Sequence, residues 1–224
     1  MCEVYGHRMT DVIVEKGVAR VFASAVDWPG WCRGGRSEDE ALAALIGYAP
    51  RYERIFRRDG FTARKEASAL RVVERVKGNA NTERGWPGVT GKVDLRTMTE
   101  ADAERLGALF RSGWRAFDSA VAKAKGRTLA KGPRGGGRTL DRIVRHVREG
   151  QLMYLEVLGA PYRDKTGGVR AEREAVLAGL ASSAHGELPT KGPRGGVRWK
   201  PRYFARRSMW HTLDHLWEIE DRSS

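Results

Sequence analysis

The chain is short of cysteine, of long apolar runs and, near its end, of acid. It has two cysteines in 224 residues, Cys2 and Cys32, far apart and in unlike contexts. Two such thiols argue against a disulfide framework and for a reducing, cytoplasmic setting. No apolar run approaches the ~20 residues of a membrane-spanning helix. The opening MCEVYGHRMTD also lacks the basic-then-apolar pattern of a signal peptide, so no membrane partner is expected. Histidine is scarce, with only His7, His146, His185, His211 and His215. Acidic residues are missing altogether from Lys191–Arg207, a stretch that holds seven cations.

What is present is enough to fold. Hydrophobic residues make up 41% of the chain, with seven tryptophans, which excludes a disordered protein. The net charge is +13 and is unevenly spread. Residues 1–60 carry nine Lys/Arg against nine Asp/Glu, whereas residues 98–224 carry 24 against 15. The excess is densest in Lys123–Arg148 and Lys191–Arg207. That distribution points to an anionic partner: nucleic acid, a small phosphate or carboxylate, or an acidic surface.

In the first third, DVIVEKG (11–17) and VARVFASAVD (18–27) flank a Lys-Gly turn and predict a hairpin. WPGWCRGG (28–35) is rich in turn formers. Ser37 followed by Glu40 predicts a capping box opening the helix SEDEALAALIGYAPRYERIF. Pro50 is expected to break or kink that helix, with a second short one after it. ALRVVERV (69–76) predicts a further strand. This β-β-α-β order, with PGW and then GGRSEDEALAAL, resembles the small antitoxin-like domain called HicB, over about residues 8–76. The resemblance implies a domain that binds partners and is not normally catalytic.

Residues 77–97, KGNANTERGWPGVTGKVDLRT, lack periodicity and predict a linker between a domain at 1–76 and another at 98–224. Beyond it, four segments place apolar residues at helical spacing: 99–126, 139–159, 169–186 and 201–222. The expected fold class is therefore α+β, a small α/β domain and then a four-helix bundle.

The second and fourth of these helices carry the chemistry. His146 falls on the edge of the second helix's apolar face, and Phe204, Ser208, His211, His215 and Ile219 form one stripe on the fourth. His211 and His215, four apart, point the same way and make half a metal site; His146 is the candidate third ligand. The three come to one level if the two helices run in the same direction. A lone His in the second helix and His-x-x-x-His in the fourth resemble the DinB-like superfamily, which includes the mycothiol-dependent maleylpyruvate isomerases. The resemblance, over about residues 98–224, implies a four-helix bundle whose three histidines hold a divalent transition metal, zinc or nickel first, then iron or manganese. Glu218 borders the same face and is the candidate catalytic carboxylate: a base, an orienter of an imidazole or a fourth ligand. Trp210, Leu213 and Trp217 lie opposite the histidines, a face that the N-terminal domain or a homodimer partner would cover.

KGPRGGGR (131–138) and KGPRGGVR (191–198) are near-copies, each just before a histidine-bearing helix. Such strings cannot continue a helix and expose backbone amides beside cations. If both helices start at one end of the bundle, Lys131, Arg134, Arg138, Lys191, Arg194 and Arg198 rim the mouth above the metal as an anion cradle. Two functions are then open. One is a metal-dependent hydrolase or transferase acting on a small anionic substrate. The other is a nucleic-acid binder whose basic loops contact phosphates, with Trp199, Tyr203 and Phe204 offering stacking.

Overall fold

A computed structural model describes residues 9–132, 137–164, 166–192 and 194–223. The fold is mixed α+β, a four-stranded sheet and then helices, and the chain divides into two compact units, Met1–Val93 and Asp94–Ser224.

In the first unit, β1 (Thr10–Lys16) and β2 (Val21–Ala25) form the expected antiparallel hairpin, and β4 (Leu70–Lys77) pairs with β1 in parallel. A strand that sequence patterning misses, β3 (Cys32–Gly35), comes from the turn-rich stretch and completes the order β3-β2-β1-β4. Cys-Arg-Gly-Gly has little strand propensity; its pairing with β2 forms it. Ser37 caps helix α1 (Glu38–Phe56) by accepting from the Glu40 amide, while the Glu40 carboxylate takes the Arg36 amide. Of the break or kink expected at Pro50, the break does not occur: α1 runs through the proline. The carbonyl that loses its partner to Pro50 belongs to Ile46, a residue on the exposed side of the helix. A short turn, α2 (Ala63–Glu66), leads into β4. Trp28, Trp31, Tyr52, Phe56 and Phe61 form the aromatic core, with the Trp31 indole donating to the Leu45 carbonyl and the Tyr52 hydroxyl to the Pro29 carbonyl.

Residues 77–97 are not a free linker. α3 (Ala80–Glu83) is closed by a reciprocal Asn79–Thr82 capping box. The buried Glu15 carboxylate accepts from Thr82 Oγ1 and from the Gly88 and Val89 amides. Glu74 accepts from the Lys92 and Val93 amides. Two carboxylates of the sheet thereby fasten the segment as far as Val93. Asp94, by contrast, makes a buried two-point ion pair with Arg206 of the second unit, at 2.8 and 2.6 Å.

The second unit consists of α4 (Glu100–Ala124), α5 (Leu140–Leu158), α6 (Gly168–Ala184) and α7 (Pro201–Ser223). These bounds lie close to those that periodicity and capping predict. Thr99 and Thr139 cap α4 and α5, and Gly159, at φ +110°, closes α5 in the left-handed conformation that favours glycine. Cross-helix contacts fix the directions. Asp102 meets Arg202 and Arg127 meets Ser223, so α4 and α7 run parallel. Asp118 meets Arg173 and Glu100 meets His185, so α4 and α6 run antiparallel. Arg222 bonds the Arg138 carbonyl at one end and the Trp199 amide bonds the Val157 carbonyl at the other, so α5 and α7 also run antiparallel. The topology is up-down-down-up. Among the described residues no helix is long and apolar enough to cross a membrane.

Candidate metal centre

From sequence, the three histidines were expected to come to one level if α5 and α7 ran in the same direction. The helices run in opposite directions and the histidines meet nonetheless. His146 lies eight residues beyond Arg138 and His215 seven before Arg222, the pair that joins one end of the two helices, so the levels match from that end. His211 and His215 are buried and His146 is half-buried.

The three rings form a nearly equilateral triangle with centroids 4.8, 4.9 and 4.8 Å apart, and each pair is close to perpendicular, at 72°, 89° and 87°. One nitrogen from each ring lies within 4.8 Å of the others, close enough to hold a metal ion. His146 Nε2 and His211 Nε2 are 3.1 Å apart. Two nitrogens bound to one ion at ~2.0–2.1 Å, at 90–110° to each other, stand about 2.9–3.4 Å apart. The pair already has a ligand separation. Gly150 makes this possible from the α5 side, because a Cβ there would sit 2.7 Å from His211 Cε1.

Glu218 holds the third ring. Its Oε2 accepts from His215 Nδ1 at 2.7 Å and its Oε1 from Arg222 Nη1 at 2.6 Å. With Nδ1 donating, His215 keeps its lone pair on Nε2. Burial alone would raise the Glu218 carboxyl, but the hydrogen bonds and charges of His215 and Arg222 outweigh it and hold it down to about 2. Both oxygens are engaged and the group stays ionised, which suits an orienter and not a base. Arg222 is buried and also donates to the Ala130 and Arg138 carbonyls, binding both flanks of the 131–138 loop to the end of α7. Burial pushes the His146 imidazole down, with His215 and Arg138 adding to the effect. It pushes His211 well down, with His215 and Arg207 next in weight. Neutral imidazole is the form that binds metal.

The basic loops do not share a mouth. The flanks of 131–138 sit at the end of the helix pair where Arg222 lies. The 191–198 loop sits at the other end, where Arg198 donates to the Glu156 carbonyl and Lys191 bridges to Val197. Helices of this length hold the two about 30 Å apart. Lys131, Lys191 and Arg194 are exposed, Arg198 is half-buried, and Arg134 lies outside the described residues. Arg138 is exposed and, of the two loops, belongs to the end nearer the histidines. The shared cradle fails because an antiparallel pair sends its two N-terminal loops to opposite ends.

Arg222 is the site residue that sequence patterning did not single out. Its signal was there: it lies four residues past Glu218, one helical turn, the spacing of an intrahelical ion pair. No protein-family model, curated protein or solved structure matches the chain.

Proposed function

We propose that the second unit is a DinB-like metal centre in which His146, His211 and His215 bind one divalent transition metal, and that the protein is a hydrolase or transferase acting on a small anionic substrate. The observation that carries this reading is the convergence of three mutually perpendicular imidazoles, one of them locked in its tautomer by an ionised glutamate. An all-imidazole donor set favours zinc or nickel; iron is next, and manganese prefers more carboxylate. When bound, such an ion supplies Lewis acidity toward a carbonyl or phosphoryl oxygen. Glu218 fixes the His215 ring, Arg222 keeps Glu218 ionised, and Gly150 lets His211 lie against α5. The first unit is read, from its sequence resemblance to HicB, as a partner-binding module.

The test is metal analysis of the purified full-length protein with thermal unfolding in added zinc, nickel, cobalt, iron and manganese. About one equivalent per chain is expected, with most of it lost in His211→Ala and in His215→Ala. Chelation lowers the melting temperature only modestly, because the helices keep their own apolar core. Unfolding curves that none of the five metals shifts would overturn the reading.

A further inference from the structure

Helix α7 buries three arginines, and two of them have carboxylates. Arg206 pairs with Asp94 and Arg222 with Glu218. Arg207, 7% exposed, has none: it makes no hydrogen bond or ion pair among the described residues, and its Nη1 is wholly buried without an acceptor. What surrounds it is aromatic. Its guanidinium carbon lies 4.9 Å from the centre of the Tyr154 ring and 4.6 Å from that of Trp210. Ring faces attract a cation but accept little of its hydrogen-bonding capacity, so the contacts offset only part of what burial costs. A buried charge without a counterion lowers stability, and a fold with two paired neighbours on the same helix shows how readily one is supplied.

The place of this residue is informative. Arg207, His211 and His215 stand at i, i+4 and i+8 on one stripe of α7. Tyr154, which touches the guanidinium, also lies 5.6 Å from the His211 ring. The rise from Arg207 to His211 is about 6 Å. We propose that Arg207 is an anion anchor of the histidine site, holding the carboxylate of a small ligand whose other end reaches the three histidines. The missing counterion is then the ligand itself. A carboxylate suits the site better than phosphate does: one negative charge matches one guanidinium, and two coplanar oxygens match its flat fork. The ligand is accordingly a short carboxylic acid with a second oxygen, nitrogen or sulfur donor about five bonds from the carboxylate, a span of ~6 Å.

The reach to the histidines rests on the metal reading above, but the anchor can be tested without it. Full-length protein is freed of metal with chelator and titrated with acetate and, separately, with inorganic phosphate at constant ionic strength. Tryptophan fluorescence and melting temperature are read, since Trp210 lies against Arg207. Wild type is expected to give a saturable acetate response at concentrations where phosphate gives a weaker one. Arg207→Met should lose about tenfold or more in acetate affinity and, freed of an unpaired buried charge, should melt at or above the wild-type temperature in anion-free buffer. Arg207→Lys, which keeps the charge and loses the fork, should fall between the two in acetate affinity.

An acetate response that survives in Arg207→Met overturns the anchor, as does a wild type that responds to neither anion. A response to phosphate alone overturns the carboxylate assignment. Because the titrations are done without metal, a protein that never binds zinc leaves the anchor standing, and a failed anchor leaves the metal centre standing.

Discussion

At the histidine cluster, each residue is held by a neighbour that does no ligating itself. His215 depends on Glu218, which depends on Arg222, and His211 depends on the missing side chain of Gly150. Two predictions separate this chain of dependence from plain packing. Glu218→Gln retains the shape but loses the charge that fixes the His215 tautomer, so zinc affinity should fall about 10–100-fold, as for other partners behind a ligating imidazole. Competition with a chromophoric chelator measures it, and an unchanged affinity would reduce Glu218 to a helix-end carboxylate with no part in metal binding. Gly150→Ala works in the opposite sense on the helix. Alanine favours α5 by about 1 kcal/mol through propensity, yet its Cβ displaces the His211 ring. Zinc affinity should therefore drop although the helix itself is favoured; wild-type affinity would mean that the ring does not need that space.

The elements differ in how far the sequence announces them. α4 to α7 were legible because each carries an apolar stripe at helical spacing, and α4 and α5 each begin at a threonine that accepts from its own third amide. The three histidines were legible for the same reason, since a stripe says which way a side chain faces. The relative direction of α5 and α7 was not, because their connections are long enough to allow either, and only packing decides. β3 was hidden because Cys-Arg-Gly-Gly borrows its conformation from β2. The start of α4 also gives a pH prediction. Burial alone would raise the Asp102 carboxyl, but hydrogen bonds from the Thr99 amide and hydroxyl and the charge of Arg202 outweigh it and bring it below the usual aspartate value. A carboxyl lowered on folding stabilises fully above its unfolded value near ~4 and ceases to do so as pH falls through the folded one. Asp102→Asn should thus be less stable than wild type by about 1 kcal/mol at pH 7, in the range of a helix cap, with the gap closing below about pH 4. Urea unfolding across pH 3–7 measures the gap, and a pH-independent difference would assign the effect to shape and not to charge.

For the whole molecule, the charge excess and the domain boundary both read differently once directions are known. The described flanks of two basic stretches that look like one device in sequence sit at opposite ends of the α5–α7 pair, so the two do not join in one cradle above the histidines. The boundary, expected after a linker ending at residue 97, falls between Val93 and Asp94. The reason is again carboxylates: Glu15 and Glu74 fasten the segment up to Val93 to the sheet, and Asp94 fastens the start of the second unit to Arg206. A polar stretch rich in glycine gives no hint of this, because the partners that order it lie far away in sequence.

Asp94 is therefore the residue on which the second unit's true start can be tested. Its side chain is 2% exposed and that of Arg206 8%, so removing the carboxylate takes the two-point ion pair from a buried guanidinium. Breaking one partner of such a pair costs about 3–5 kcal/mol, whereas a substitution in a solvated linker stays within about 0.5 kcal/mol. Asp94→Ala in the full-length chain should lower stability by the larger amount in urea unfolding. A fragment beginning at residue 94 should likewise outlast one beginning at residue 98, where the sequence alone would have cut. A loss below about 1 kcal/mol in Asp94→Ala would mean that Arg206 finds another acceptor at little cost, and that the boundary can be moved past Asp94 without harm.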